Sequence, residues 1–365
     1  MIDCLNISLN STASSTFNIT GECALFDFLV YTISMGTVST LGLMGNILSF
    51  TILWRDQGKG ATTYLLRALA VADSLVLIVA FPLFVLSFVF PYTNTLQTWY
   101  ELYINLLPFL WPIYQIPYTG TIMLTVLVSL NRYMAVCKPF KSIKICSTSH
   151  AKRHVIYIAL FSVLYNIPRF FEYHKIVECV AYNESREGYA VSDFGNNKYY
   201  RIIYNNILYF VLMHGGPLIM LAFLNVNLIR ALKQQQQKRL EMGKGGYQHD
   251  ITLVLIVVIF VFICCQTPTF IDHVLWTFVD SSERKCGHWH YYYTAISDTM
   301  AVLNSSVNFV IYVLTSRKFR TTLLTMCSGD RDITWRLTPA TRAEMTVLTA
   351  TGNGVHNKLQ HNTII

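Results

Sequence analysis

Apolar and polar positions fall in long blocks along the chain, with seven apolar runs at Leu25 to Trp54, Thr62 to Phe90, Leu102 to Val136, His154 to Phe170, Tyr200 to Leu232, Ile251 to Val279 and Tyr291 to Thr315. Each is long enough for a hydrocarbon core, which takes about 20 apolar residues as a helix. No water in that core can satisfy exposed N–H and C=O groups, so hydrogen bonding must close within each segment. The pattern therefore predicts an all-α membrane protein, a seven-transmembrane helix bundle. The third run leads straight into Asn131-Arg132-Tyr133, which places an arginine at the exit of an apolar helix.

The expected organisation is a glycosylated N-terminal segment over 1–24, the bundle over 25–315, a short amphipathic helix over 316–327 and a disordered, threonine-rich tail over 328–365. With 53% hydrophobic and 13% charged residues, the composition argues against a soluble globular chain. Orientation follows from the cations. Cys137 to Arg153 carries Lys138, Lys141, Lys144, Lys152 and Arg153 and no acid, and Arg230 to His249 carries Arg230, Lys233, Lys238, Arg239 and Lys244 against Glu241. Phe171 to Tyr200 instead holds Glu172, Glu178, Glu184, Glu187 and Asp193 against three cations. Basic loops stay cytoplasmic, so the N-terminus is expected outside. The net charge of +8 then reflects topology and anionic lipid, not nucleic acid.

Asn6, Asn10, Asn18 and Asn183 each open an Asn-x-Ser/Thr acceptor on the expected outer side. Asn304-Ser305-Ser306 matches too but lies inside a span, beyond a glycosylating enzyme's reach. The first residues lack a basic start and an apolar run, so the first span is expected to act as the targeting signal. Cys4, Cys23, Cys179 and Cys286 fall on the oxidising side, and four cysteines allow three pairings. Cys23 and Cys286 precede the first and seventh helices, neighbours in a closed ring, which favours that pair; Cys4 and Cys179 then join each other or stay unpaired. Cys286-Gly287-His288-Trp289-His290 also has metal-ligand residue types, but a disulfide or an aromatic belt explains it more simply. Cys327, behind Arg317-Lys318-Phe319-Arg320, is a candidate for palmitoylation, with a plain apolar thiol as the alternative.

Ionisable groups at membrane depth are costly and face the bundle interior. Asp73 lies mid-span, with Asn46, Thr121, Asn304, Ser305 and Asn308 as possible neighbours. Asp73, Thr121, Asn304 and Ser305 make a candidate sodium site of hard oxygen ligands, and a hydrogen-bonded network that only joins helices is the alternative. No other cofactor is expected.

Gly45-Asn46, the Leu-Ala-x-x-Asp run ending at Asp73, Asn131-Arg132-Tyr133, Pro217, Cys265-x-x-Pro268 and Asn308-x-x-x-Tyr312 occur in order, one marker to each of six spans. As a set they resemble the rhodopsin-class G-protein-coupled receptors. A narrower resemblance, to invertebrate FMRFamide-type neuropeptide receptors, is carried by Val136-Cys137-Lys138-Pro139, by Tyr165 to Glu172 and by Asn304 to Tyr312. The resemblance implies a plasma-membrane receptor, not an enzyme, that takes an extracellular peptide of the amidated Arg-Phe type and catalyses nucleotide exchange on a heterotrimeric G protein. It also implies coupling through Arg132, Tyr133 and Tyr312, and arrestin on a tail with hydroxyl phosphosites.

Departures bear on mechanism. Asn131 replaces the usual acid before the arginine, which removes a local salt bridge and predicts raised basal activity. Gln266 replaces a tryptophan, Asn225 a tyrosine, and Leu107 the cysteine that would bridge to Cys179. Tyr114 stands where amine receptors carry an aspartate, which disfavours a monoamine. Asp298 and Asp272 are expected to face the cavity and pair a ligand arginine, with Glu172 and Glu178 behind them and Tyr114, Gln115 and Gln266 lining the site. Tyr291 to Tyr293 read as belt residues. An ion or proton transporter would need inverted repeats with broken helices, and a membrane hydrolase a nucleophile with its base; the sequence offers neither.

Overall fold

The computed structural model describes residues 21–55, 60–181, 184–241, 249–280, 282–315 and 317–328. Cys4, Asn6, Asn10, Asn18, Asn183 and the tail from residue 329 lie outside the described residues. Five long apolar helices are α1 (Cys23–Arg55), α2 (Ala61–Thr93), α3 (Gln97–Cys137), α4 (Thr148–Phe171) and α5 (Tyr200–Gln235). The sixth, α6, is His249–Phe278, and the seventh, α7, comprises Trp289–Ser306 and Asn308–Thr315 on either side of Val307. α3 and α4 start several residues earlier than their apolar runs, because Gln97 to Glu101 and Thr148 to Arg153 are polar yet helical. Past the apolar part of α5 the helix continues to Glu241, through the Lys233 to Arg239 run.

α3 packs against α2, α4 and α5, and the ring closes where α7 meets α1, α2 and α6. Met35, Val76, Leu77, Ala80, Leu83, Tyr118, Ile122, Met213, Leu221 and Val302 fill the interior. Leu41, Trp54, Leu164, Ile219, Phe223 and Phe260 face outward, the arrangement expected when the surrounding solvent is lipid. Hydroxyls within the spans bond to their own backbone, as Thr37 to the Ile33 carbonyl and Ser74 to the Ala70 carbonyl, both at 2.7 Å. This satisfies them without a partner helix.

Gly42 and Gly45 set the closure. A Cβ on Gly42 would lie 2.5 Å from Ser306 Cβ, and one on Gly45 would lie 2.8 Å from Phe309 Cβ, so α1 and α7 meet at a distance that only glycine permits. Asn46 then reaches across and donates to the Ser305 carbonyl at 3.0 Å. Gly42→Val is expected to cost about 1–3 kcal/mol through overpacking. A drop in the melting temperature of detergent-solubilised receptor would register it; an unchanged melt would show that the helices separate freely.

Two features were not anticipated. Tyr173–Ala181 (β1) and Glu184–Val191 (β2) form an antiparallel hairpin between α4 and α5, with Tyr173 opposite Val191. In addition, Phe28–Met35, Phe81–Val85, Tyr200–Leu208 and Phe210–His214 are wound as π-helix, in the halves of α1, α2 and α5 nearer the hairpin end. Such windings are frequent at functional sites. A separate unit begins at Arg317, where Arg317–Ser328 forms a helix, α8. Cys327 is in its last turn, with its side chain outside the described set.

Candidate functional site

At the hairpin end, His290, Thr294 and Asp298 repeat every four residues on α7, which stacks them on one face. Tyr31 of α1 donates to Asp298 Oδ2 at 3.1 Å. Thr294 donates to Asp272 Oδ1 at 2.7 Å, and His290 Nε2 lies 3.4 Å from the same oxygen. Asp298 and Asp272 remain partly accessible, and among the described residues neither has a Lys or Arg within ion-pair distance. Asp27 of α1, which the sequence reading passed over, is 3% exposed and accepts from the Tyr291 hydroxyl through Oδ2. The signal was present: an acid inside an apolar run.

Aromatic rings wall the space beside these carboxylates. Tyr31 stacks on Phe88 at 4.3 Å and on Phe84 at 6.0 Å, Phe84 meets Tyr114 edge-on at 5.3 Å, and Tyr114 stacks on Tyr118 at 5.8 Å. Tyr114 and Gln115 are buried, and Gln266 is 1% exposed, accepting from the Tyr118 hydroxyl at 2.8 Å. These three therefore form the packed floor, where a hydrogen bond joins α3 to α6 at the position expected to hold a tryptophan.

Tyr291 and Tyr293 are not simply belt residues, since Tyr291 donates to Asp27 and Tyr293 to the Pro268 carbonyl at 3.1 Å. Cys23 and Cys286 form a disulfide, Cα to Cα 6.2 Å, with Gly287 taking the turn at φ +91°. Cys286, His288 and His290 do not converge: His288 pairs with Glu283 at 3.1 Å, and His290 is buried on Asp272.

Glu172 is not free for a ligand. Arg169, buried at the end of α4, pairs with it at 3.6 Å, Tyr200 donates to it at 2.7 Å, and Arg169 also donates to Asn166 Oδ1 at 3.1 Å. The i, i+3 spacing of Arg169 and Glu172 was the missed sign. Glu178 and Cys179 lie on β1, with side chains outside the described set. Across the mouth, Arg201 and Arg284 both donate to the Trp276 carbonyl, and Arg284 sits 4.3 Å over the Trp276 ring. In the loop after α6, burial and the neighbouring Arg201 lower the Arg284 pKa below its ordinary value.

Mid-bundle, Asn308 donates to Asp73 Oδ2 at 2.7 Å, Asn46 Oδ1 and Ser49 Oγ are buried without a hydrogen-bond partner, and the Ser305 hydroxyl is buried beside Asp73. The Thr121 hydroxyl turns back to the Tyr118 carbonyl at 2.9 Å, and Asn304 is half-buried. At the far end of α3, Arg132 is exposed, and Asn131 donates to Thr62 Oγ1 of α2 at 2.7 Å. Tyr133 lies under the Lys138 ammonium at 5.9 Å, and Tyr312 is within electrostatic reach of Arg132.

The pattern of the family described as 7 transmembrane receptor (rhodopsin family) matches residues 45–312. The chain is 30% identical over 301 residues to the FMRFamide receptor of Drosophila melanogaster, covering 80% of this chain and 53% of that one. It is 30% identical over 294 residues to the FMRFamide peptide receptor frpr-18 of Caenorhabditis elegans, covering 78% and 66%. It is 25% identical over 338 residues to the Neuromedin-U receptor 2 of Mus musculus, covering 87% and 80%. The chain thus spans 53% and 66% of the lengths of the first two.

Proposed function

The chain belongs to the rhodopsin family of seven-transmembrane receptors, and on that premise we propose that it is a plasma-membrane receptor for an extracellular peptide ending in Arg-Phe-amide, with its N-terminus outside. The observation that carries this reading is the pair of inward carboxylates, Asp298 and Asp272, each without a Lys or Arg within ion-pair distance among the described residues. A guanidinium supplies the missing charge in bidentate form. Amidation removes a C-terminal negative charge that the same carboxylates would repel, and the adjoining Tyr31, Phe84 and Tyr114 rings suit a phenylalanine. The relatives named for FMRFamide fit this chemistry; the one named for neuromedin-U leaves another peptide class as the second reading. A dose-response comparison of an Arg-Phe-amide peptide with its free-acid form separates them. The amide is expected to be the more potent, and equal potency would remove the argument from charge.

Arg132, Tyr133 and Tyr312 form the proposed G-protein contact. The family is one of receptors, not enzymes, and the nucleotide leaves from the G protein itself, so the expectation that this chain catalyses exchange becomes one in which it triggers it. Asn131 anchors α3 to Thr62 instead of neutralising Arg132. Asn131→Asp should therefore lower ligand-independent signalling at equal surface level, because a carboxylate beside Arg132 holds the guanidinium in place; equal or higher basal output would contradict this.

The buried oxygens of Asp73, Asn46, Ser49 and Ser305 suit a hard cation such as sodium. We place Asn46 and Ser49 ahead of Thr121 as its neighbours, because the Thr121 hydroxyl is already given to the Tyr118 carbonyl. Helix α8 is proposed as an amphipathic surface helix anchored by lipid on Cys327, the tail as the arrestin site, and Asn6, Asn10, Asn18 and Asn183 as glycosylated.

A further inference from the structure

Asp27 has no place in the ligand reading so far, yet it is the most deeply buried of the three carboxylates at the hairpin end. Its Oδ2 is met by the Tyr291 hydroxyl, while Oδ1 is buried with no hydrogen-bond partner, and no described Lys or Arg pairs with it. Asp27 and Tyr31 are four residues apart and share a face of α1. The Tyr31 hydroxyl, bonded to Asp298, lies within electrostatic reach of both Asp27 and Tyr291. Each of two tyrosines thus holds one carboxylate, Tyr291 that of Asp27 on α1 and Tyr31 that of Asp298 on α7, beside a stretch where α1 is wound as π-helix. A structural role alone would leave one carboxylate oxygen buried without a hydrogen-bond partner, a cost that a bound cation would offset.

We infer that Asp27 is a second cation subsite, so that the receptor selects a dibasic ligand: one cation on Asp298 and Asp272, the other on Asp27. The inference rests on the Arg-Phe-amide reading for the first cation and adds the second. That second cation comes from the peptide's N-terminal ammonium or from another basic side chain. The chemistry at the carboxylate is the same, and the test tells the sources apart.

The probes are Phe-Met-Arg-Phe-amide, its N-acetylated form, an N-acetylated form extended by an N-terminal lysine, and a citrulline analogue of the first. Their binding is measured on surface-displayed wild type and Asp27→Asn. On wild type, acetylation should weaken binding by about 30-fold or more, the effect of losing a buried charged partner. If the ammonium is the source, the lysine form stays weak; if a side-chain cation serves, the lysine form recovers. On Asp27→Asn, the free, acetylated and lysine forms should bind alike, while the citrulline analogue still loses affinity through Asp298. Undiminished discrimination by Asp27→Asn, or equal binding of all three forms to wild type, overturns the second subsite and leaves the first reading standing. An equipotent citrulline analogue overturns the first reading, and failure of every probe to bind overturns both. Should Asp27→Asn not reach the surface, the wild-type ratio between free and acetylated peptide decides, a ratio of one being contradictory.

Discussion

Arg132→Ala is expected to abolish G-protein signalling while surface level and peptide binding largely survive. The side chain is exposed at the end of α3, away from the carboxylates at the hairpin end, and no described acid lies within ion-pair distance of it. It therefore contributes little to the fold, and its removal should cost little stability. On the proposed coupling it offers a fork of donors beside Tyr312 to a partner helix, reached by an outward movement of α6, which carries Pro268 within it. Parallel measurement of radioligand binding and second-messenger output on the variant is the check. Full signalling at equal surface level would remove Arg132 from the coupling surface.

The second large effect is expected from Asp298→Asn. The carboxylate is held by Tyr31, is partly accessible and has no Lys or Arg within ion-pair distance among the described residues, so it is oriented toward an incoming cation. Losing a buried charged partner costs about 2–5 kcal/mol, or tens to thousands of fold in affinity. Asp272→Asn should cost less, because Thr294 already donates to Oδ1. Potency of an Arg-Phe-amide peptide and its citrulline analogue on each variant reads this out. If the variants match wild type and the neutral analogue is equally active, the peptide is held by shape and aromatic contact instead.

Much of this was legible in the chain because lipid allows so few solutions. A 20-residue apolar run can satisfy its backbone only as a helix, so the α1 to α7 spans follow from hydropathy, with their ends blurred where polar helical turns extend past the apolar core. Cys23 and Cys286 were paired by ring closure, and the structure joins them. Asp298 and Asp272 stood out as acids in apolar surroundings. Asp27 did not, although it obeys the same rule, because its meaning depends on Tyr291, which lies 264 residues away in sequence. Tyr291 itself read as an interfacial ring, since a belt tyrosine and one bonded to a buried carboxylate look identical in one dimension. The hairpin escaped notice because charged residues break the alternation of Tyr173 to Ala181, and Glu172 misled because a buried arginine three residues before it takes up its charge. Composition carries information about solvent; partner choice between distant helices requires the fold.

On this proposal an Arg-Phe-amide peptide, received at the acidic hairpin end, makes the receptor trigger nucleotide release from a G protein at its Arg132 end. Purified receptor reconstituted in a bilayer with heterotrimers of each G-protein class, followed by uptake of a non-hydrolysable GTP analogue, tests it most directly. Phe-Met-Arg-Phe-amide is expected to accelerate uptake several-fold on at least one class, and Arg132→Ala to eliminate the acceleration. No acceleration on any class, from receptor that is folded and binds the peptide, would contradict it.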